Sequence, residues 1–481
     1  MESKKETQTN HSVSELKFGL KSFLAVCGIL LGVMIFVGIL TFIVPAGSYA
    51  FDKETGKVIA GSFEFIESNT RLPIWRWFTA PIEALLFSQG NFTIIQVIII
   101  LLVLGGTFRV LDKTGGLYAT VSLVVDKFAN KRYLAIWIIT LVMMLLSSCF
   151  GLQEEMLILF PLFLSFCKAM NWSKLQAISL VLITTGVGFT VALFNPFTIG
   201  LATSNSQIPV TILDGLWFRA ILFVVFYFIT SLYLIYMAKK DEKKNKDKPL
   251  INEFATLSKE IKDDFKRKTK MIVILFGSAL GVIILASIIP FIADLGIGMV
   301  LMAVVFVVGS FVIGAKLLGG TKATFSCFFE GVKTLAPSVV VVLLAFSVKY
   351  IAEQGNILHT LFYYCHTFLC SQDPYIAVIL LYLIILVFEF FIPGTSAKVV
   401  LLIPLLTLAP IPGLSINVIL LTFLFADGYT NVLFPTCGTL VIGISLAEVS
   451  YVEWLKKTGL FQLLLLVISC LFLLLAVYIG L

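Results

Sequence analysis

Four ionisable residues of this chain lie where glycine or proline interrupts long apolar stretches, in which charge is rare. They are Glu154 and Glu155 in FGLQEEMLILFPL, Lys398 in PGTSAKVVLLIPL, and Asp427 in FADGYTNVLFPT. An ionised group within a membrane is costly and marks a substrate or ion pathway by default. We therefore expect these residues to belong to a binding site for a small charged molecule.

The two glutamates follow Gly151 at the start of a half-helix that runs towards Pro161. Acidic side chains suit the positive N-terminal end of a helix, which is one explanation for Glu154 and Glu155. The other is ligand binding. Consecutive residues point about 100° apart on a helix, so one glutamate could face the ligand while the other pairs with protein.

Lys398 is harder to explain by helix chemistry, because a cation in the first turn of a helix opposes the helix dipole. We expect it to have an anionic partner, which is Asp427, Glu389 or a substrate carboxylate. The preceding Thr395 and Ser396 are either ligands in the same site or helix N-caps.

The segment 425–436 carries a carboxylate, an amide and a hydroxyl on Asp427, Asn431 and Thr436, together with Gly428 and Pro435. Glycine and proline interrupt helices and leave backbone carbonyls free. An oxygen-rich set of this kind suits Na⁺ or a substrate ammonium group.

Similar ligands occur earlier in the chain. Asn195 and Thr198 lie in FNPFT, followed by the polar run 203–206. We expect a Na⁺ site, if there is one, near Asn195, Asp427 and Asn431. The alternative is that these polar groups hydrogen-bond neighbouring helices together.

These polar segments repeat. Residues 150–162 align without gaps on residues 393–405, so that Glu155 matches Lys398. Pro196 matches Pro435 in the same order. Broken helices at matching places of two oppositely oriented halves are typical of secondary transporters, with the substrate site near the midplane.

The elements that must position these residues are membrane spans. The chain has 481 residues, of which 59% are hydrophobic and 13% charged, and its mean hydropathy is +1.02. A soluble domain is about 25% charged. We expect about eleven passes, broken by glycine and proline where backbone is shielded from lipid.

The net charge of +7 reflects topology rather than nucleic-acid binding, because the basic residues cluster beside apolar runs. The predicted organisation, in chain order, is a cytoplasmic N-terminus (1–21), an uncleaved leading span (22–44), an external loop (45–90), a first repeat (91–238) with a hairpin near 149–170 and a broken helix near 194–205, a cytoplasmic linker (239–270), and a second repeat (271–481) with a hairpin near 393–408 and a broken helix near 425–436.

Several catalytic and cofactor motifs are missing from the sequence. It contains no G-x-x-x-x-G-K-[ST], H-E-x-x-H or G-x-S-x-G motif, and no C-x-x-C pair. We expect no enzyme activity, no cofactor, and neither a disulfide scaffold nor a histidine-rich metal site.

The order of these motifs resembles the YfcC family. The resemblance rests on the following features, which span nearly the whole chain: VPAGSY (44–49), GxxEE, NPF, a Gly-x-Ser-Ala-Lys tip that ends at Lys398 and is followed by a downstream proline, ADG-x-x-N-x-x-x-PT, and a final Y-x-x-W-x-K (Tyr451, Trp454, Lys456). Members are described as basic amino-acid antiporters grouped with the C4-dicarboxylate anaerobic carriers.

The resemblance implies the ion-transporter superfamily fold, an all-α inverted-repeat carrier with two re-entrant hairpins. It implies a scaffold domain that forms a homodimer and a transport domain that moves as an elevator. Carried over by position, the transport-domain residues are Glu154, Glu155, Asn195, Pro196, Ser396, Lys398, Asp427, Asn431 and Thr436.

We therefore expect a multi-pass protein of the bacterial cytoplasmic (inner) membrane, in contact with lipid, that moves a small carboxylate-bearing solute. An amino acid, in particular a basic one, is the first expectation, with Na⁺ or H⁺ as coupling ion. The alternatives are a C4-dicarboxylate or short-chain fatty-acid carrier, a channel, and a membrane-embedded enzyme.

Overall fold

A computed structural model describes the greater part of the chain, and every structural statement here refers to that part. The described residues are 20–50, 59, 61–66, 72–88, 91–128, 131–153, 155–200, 202–203, 206, 208–245, 259–289, 297–392, 395–407 and 411–481.

The described chain is almost wholly α-helical, with one two-stranded antiparallel ribbon in which β1 (Gly47–Ser48) pairs with β2 (Glu64–Phe65). The α-helices, in chain order, are α1 (Leu20–Ile43), α2 (Ile74–Phe87), α3 (Asn91–Lys113), α4 (Gly116–Phe128), α5 (Arg132–Phe150), α6 (Phe160–Ala169), α7 (Lys174–Val191), α8 (Leu216–Lys244), α9 (Lys259–Ile288), α10 (Gly298–Leu317), α11 (Thr321–Leu335), α12 (Pro337–Gln354), α13 (Ile357–Leu369), α14 (Pro374–Phe391), α15 (Thr395–Leu406), α16 (Ile416–Leu433), α17 (Gly438–Leu446) and α18 (Tyr451–Ile479). A 3₁₀ turn (Glu155–Leu159) precedes α6, and a π-helical turn (Pro196–Gly200) follows α7.

Eight of the described helical segments are long and apolar enough to cross a membrane, or nine if α11 and α12, bent by 44° at their junction, count as one span. The chain is therefore a multi-pass membrane protein. The predicted count of about eleven passes stays a prediction.

The helices pack in two groups. In the first, α3 packs against α10 and α11, and α12 packs against α1 and α2. In the second, α7 and α16 pack against each other and are surrounded by α5, α6, α8, α14 and α18. In the apolar window of α7, 94% of residues are buried, against 33% in α18, so α7 lies at the centre of its group.

An apolar cavity lies at the seam between the two groups. Its walls are formed from α3 and the end of α11 on one side and from the 3₁₀ turn, α6 and α17 on the other, by residues that include Val97, Leu104, Leu335, Leu157 and Ile442. No polar side chain is among the residues that line it. This part of the seam therefore holds its two sides together without hydrogen bonds between side chains.

The two central helices run in opposite directions. The start of α7 lies beside the end of α8, because the Ser173 amide donates to Asp241 Oδ2 at 2.8 Å. The start of α16 lies beside the C-terminus of the chain, because the Ser415 hydroxyl donates to the Leu481 carbonyl oxygen at 2.6 Å. Lys174, at the start of α7, pairs with Glu448, just before α18 begins. The starts of α7 and α16 therefore lie at opposite ends of α18, about 44 Å apart at 1.5 Å per residue.

Candidate functional site

A buried cluster of charged and polar side chains surrounds Lys398 in the first turn of α15. Its Nζ lies 2.8 Å from Asp427 Oδ1 and 3.3 Å from Glu389 Oε2, and it also contacts Thr430 Oγ1 at 3.1 Å and Asn431 Oδ1 at 3.4 Å. Both carboxylate side chains are fully buried. Of the partners expected for Lys398, the structure supplies two protein carboxylates at once.

Thr430 joins the three charged groups. Its hydroxyl donates to Glu389 Oε2 at 2.6 Å and lies beside Lys398, while one turn earlier on α16 Asp427 accepts a hydrogen bond from Thr395 at 3.3 Å. Residues three or four apart share a helix face, which is why Asp427, Thr430 and Asn431 all point towards α15.

The charges of this cluster do not balance. Glu389 and Asp427 contribute two carboxylates and Lys398 one ammonium, which leaves a net charge of −1 when all three are ionised. Among the described residues, Glu389 Oε1, Asp427 Oδ2 and Asn431 Nδ2 have no hydrogen-bond partner although they are buried. A buried unpaired carboxylate oxygen is costly, so the cluster favours a further positive group.

The first half of the chain contributes Asn195 and Thr198, both fully buried, at the π-helical turn. This turn packs against α15 and α16. Asn195 Oδ1 accepts a hydrogen bond from the Phe197 amide at 2.9 Å, while its Nδ2 and the Thr198 hydroxyl have no partner among the described residues. The turn therefore carries two buried hydrogen-bonding groups without a partner among the described residues, next to α15 and α16.

The helix break in the second half lies near the C-terminal end of the segment 425–436. Helix α16 continues through Gly428 to Leu433, and the break occurs around Pro435, which has no amide hydrogen. A Cβ on Gly428 would lie 2.2 Å from Thr190 Oγ1 and 2.3 Å from its backbone nitrogen. Glycine is needed at 428 for the close approach of α7 and α16.

The carbonyls freed at this break are also largely occupied, contrary to the expectation that they would be available as ligands. Trp454 Nε1 and Gln462 Nε2 donate to the Val432 carbonyl oxygen at 2.9 and 3.3 Å, and the Tyr451 hydroxyl donates to that of Leu433 at 2.7 Å. The Y-x-x-W part of the C-terminal motif thus caps α16.

A matching cap occurs in the first half, where the buried side chain of Arg219 on α8 closes the end of α7. Its Nη1 donates to the carbonyl oxygens of Ala192 and Leu193 at 2.6 and 3.2 Å, and its Nη2 donates to those of Ile212 and Asp214. In both halves, a helix later in the chain supplies the side chains that satisfy the break, α8 in the first half and α18 in the second.

The remaining predicted residues are only partly placed. Glu154 lies outside the described residues, as do 204 and 205. Glu155 and Ser396 are described by their backbone alone. Thr436 is buried in the break after α16, and Thr203 donates to the Gly200 carbonyl oxygen at 2.9 Å within its own turn. The structure thus brings together Lys398, Thr395, Asp427 and Asn431, with Asn195 and Thr198 on the adjoining turn.

Sequence reasoning missed three residues. Glu389 was considered only as a partner of Lys398, although a lone carboxylate in the apolar helix α14 is a signal in itself. Thr430 was detectable as the residue one turn after Asp427. Arg219, at the start of a span, has the sequence context of an interfacial anchor, and nothing local distinguishes it from one.

This geometry defines a class: a multi-pass helical membrane protein with a cluster of charged and polar side chains enclosed between helices. The chain belongs to the family of C4-dicarboxylate anaerobic carriers (DcuC), whose sequence profile matches residues 23–478. It is therefore a membrane transporter.

Two relatives support the assignment. The chain is 24% identical over 397 residues to the Escherichia coli (strain K12) protein called "Putative basic amino acid antiporter YfcC", covering 78% of this chain and 76% of that protein. It is 22% identical over 381 residues to an uncharacterized Haemophilus influenzae protein, covering 76% and 72% respectively. The resemblance to the YfcC family is thus confirmed.

Two solved structures align with most of the chain, although their TM-scores are low. The YdaH transporter of Alcanivorax borkumensis matches with 15% identity and a TM-score of 0.41, covering 98% of this chain and 99% of its own. MtrF of Neisseria gonorrhoeae, described as one of a class of antimetabolite efflux pumps, matches with the same identity and TM-score, covering 92% and 94%.

Proposed function

We propose that this protein is a secondary active transporter of amino acids, and of basic amino acids first. The observation that carries the proposal is the buried cluster in which the two carboxylates of Glu389 and Asp427 face the one ammonium of Lys398. When all three groups are ionised, the cluster has a net charge of −1. A basic amino acid carries a net charge of +1 near neutral pH, because its two cationic groups outnumber its one carboxylate. It would neutralise the site.

The unpaired atoms around the cluster fit the two ends of such a ligand. Asp427 Oδ2 and Glu389 Oε1 can accept hydrogen bonds from an ammonium or guanidinium group. The amide of Asn195, the hydroxyl of Thr198 and the N-terminal end of α15 can donate to a carboxylate. Lys398 is already paired with two protein carboxylates. In this arrangement its role is to hold these carboxylates in place, and the carboxylate of the solute is bound by the other donors.

A C4-dicarboxylate is the second candidate, favoured by the family match. It brings two negative charges to a cluster that already has one in excess. Binding would require protonation of the cluster or rearrangement of Lys398. For this reason we place a C4-dicarboxylate after an amino acid, although the family is described by the dicarboxylate.

We propose that the transport mechanism is the elevator motion of an inverted-repeat carrier with two re-entrant hairpins. The opposite directions of α7 and α16 support the inverted repeat, with halves at 91–238 and 271–481. The two helix groups, joined at an apolar seam, are the candidates for the scaffold and transport domains. The proposal includes a homodimer in the bacterial inner membrane with a cytoplasmic N-terminus.

The test is uptake into proteoliposomes that contain the purified protein, with labelled arginine, lysine, a neutral amino acid and succinate as separate substrates. Lys398→Ala and Asp427→Asn should each reduce uptake of the preferred substrate at least about tenfold. Lys398→Ala leaves two buried carboxylates without their cation, and Asp427→Asn removes a negative charge that would attract a cationic solute. Lys349→Ala is the matched control, since Lys349 forms an ion pair with Glu353 at 3.3 Å on α12, away from the cluster.

Wild-type rates in both site variants would contradict the site assignment. Uptake of succinate but of no amino acid would favour the second candidate. Uptake that never exceeds the external concentration under any ion or exchange gradient would instead indicate a channel.

A further inference from the structure

The ammonium of Lys398 occupies a position that has the composition of a metal-cation site. Four oxygens surround Nζ within 3.4 Å, contributed by two carboxylates, one hydroxyl and one amide carbonyl. An ammonium group has only three hydrogens to donate, so four oxygens are more than it can satisfy singly. An all-oxygen set that includes carboxylates is the ligand set that hard cations take in proteins.

The position of Lys398 on its helix argues against a purely helix-stabilising role. It lies in the fourth residue of α15, where the positive end of the helix dipole opposes a cation. Its side chain is 3% exposed, so water contributes little to its solvation. The cost of burying it is offset only by the oxygens around it.

We propose that the Lys398 ammonium is a covalently attached substitute for a bound Na⁺, so that this site needs no Na⁺ and becomes a Na⁺ site when the ammonium is removed. This inference deepens the proposed function. Only its consequence, that transport does not require Na⁺ at Asp427 and Asn431, rests on the proposed function. The expected Na⁺ ligands Asp427 and Asn431 both contact Nζ through Oδ1, so Na⁺ could bind between these two oxygens only by displacing the ammonium.

A cation that is covalently attached to α15 also links this helix to α14 and α16 at all times. Lys398 belongs to α15, whereas Glu389 belongs to α14, and Asp427, Thr430 and Asn431 belong to α16. A diffusible Na⁺ would link these helices only while bound. The tethered ammonium links them permanently, whatever the ionic composition outside.

The test measures thermal unfolding of the purified full-length protein in detergent, without substrate or gradient, in NaCl, KCl or choline chloride at equal ionic strength. The wild type should unfold at the same temperature in all three salts. Lys398→Met should unfold at a lower temperature in choline chloride, with a saturable recovery of at least about 2 °C in NaCl, because a ligand that binds only the folded state stabilises it.

Removal of the lysine alone leaves two buried carboxylates and could prevent folding. The double variant Lys398→Met/Glu389→Gln keeps the cluster at a net charge of −1 and should show the same Na⁺-dependent recovery. Lys349→Met, which loses an ion pair elsewhere, should show no dependence on the cation.

Two results would overturn the proposal. One is a saturable, Na⁺-specific stabilisation of the wild type that Asp427→Asn abolishes. The other is equal destabilisation of both Lys398 variants in every salt, which would make the lysine a structural ion pair only. Neither readout depends on which solute is carried, so failure of the proposed function would leave this test intact.

Discussion

The guanidinium of Arg219 donates to the carbonyl oxygen of Ala192 at 2.6 Å, across 27 residues of sequence, and so closes the C-terminal end of α7. Its other nitrogen reaches the loop before α8, at Ile212 and Asp214. One buried side chain therefore satisfies two stretches of non-helical backbone, of which the one after α7 leads directly into Asn195.

We expect Arg219→Leu to destabilise the folded protein by about 3 kcal/mol, because it leaves several buried carbonyls without donors. Arg219→Lys should recover only part of this loss, since a single ammonium cannot span two loops as the planar guanidinium does. Thermal unfolding in detergent measures both. Arg267→Lys, at an exposed position of α9, is the control, and equal stability of all three variants would contradict the capping role.

Gly428→Ala tests the close approach of α7 and α16. The added Cβ would meet the backbone of Thr190 at 2.3 to 2.5 Å, so the helices must separate, at a cost of about 1–3 kcal/mol. Uptake should also fall, because Asp427 and Thr430 would shift relative to Lys398. Gly459→Ala on α18, where nothing lies within 4 Å of the added Cβ, should leave stability unchanged or slightly increased.

Thr430→Val tests whether the hydroxyl that joins Glu389 and Lys398 matters for transport. The substitution keeps the shape of the side chain and removes one hydroxyl, and uptake should fall about tenfold, since a hydrogen bond to a charged group contributes about 1.5–3 kcal/mol. Thr422→Val is the matched control two turns earlier on α16, where the hydroxyl bonds only the Val418 carbonyl oxygen at 2.7 Å. Equal uptake by the two variants would exclude a role for Thr430.

A pH-dependent contribution to stability is expected from Glu83 on α2, outside the candidate membrane spans. Burial raises the pKa of Glu83, but hydrogen bonds from Arg76, Thr79 and Tyr350 outweigh it, and the pKa lies below the ordinary value of 4.5. A carboxyl group with a lowered folded-state pKa stabilises the protein fully above its unfolded-state value, and this contribution is lost as the pH falls through the folded-state pKa.

Glu83→Gln should therefore lower the unfolding temperature near neutral pH, and the difference from the wild type should shrink as the pH falls below 4.5. Unfolding curves collected from pH 7 downwards measure this difference. The exposed Glu453→Gln serves as control. A difference that grows on acidification would contradict the assignment.

The sequence predicted the membrane character, the family and the partners of Lys398, because these follow from local facts. A cation in an apolar helix start must have an anion near it, and few anions were available. The same reasoning could not place Arg219, because the carbonyls of Ala192 and Leu193 that it satisfies lie at the end of α7, more than 25 residues earlier in the chain. Hydrogen bonds of that kind become visible only when the helices are packed.

Gly428 shows the opposite limit. In sequence, a glycine and a proline beside polar residues both indicate a helix break, and the prediction of a broken helix near 425–436 did not distinguish between them. In the structure Gly428 lies where two helices touch, and the helix ends just before Pro435. A glycine that ends a helix and a glycine that admits a neighbour have the same local sequence, and only the neighbour distinguishes them.

The excess negative charge of the cluster also determines how the protein would respond to an electric field. Moving one elementary charge through a potential of 100 mV is worth about 2.3 kcal/mol. An empty site with both carboxylates ionised would carry such a charge with it, whereas a monovalent cationic solute would cancel it. The membrane potential would then act on the return of the empty carrier and leave the loaded step untouched.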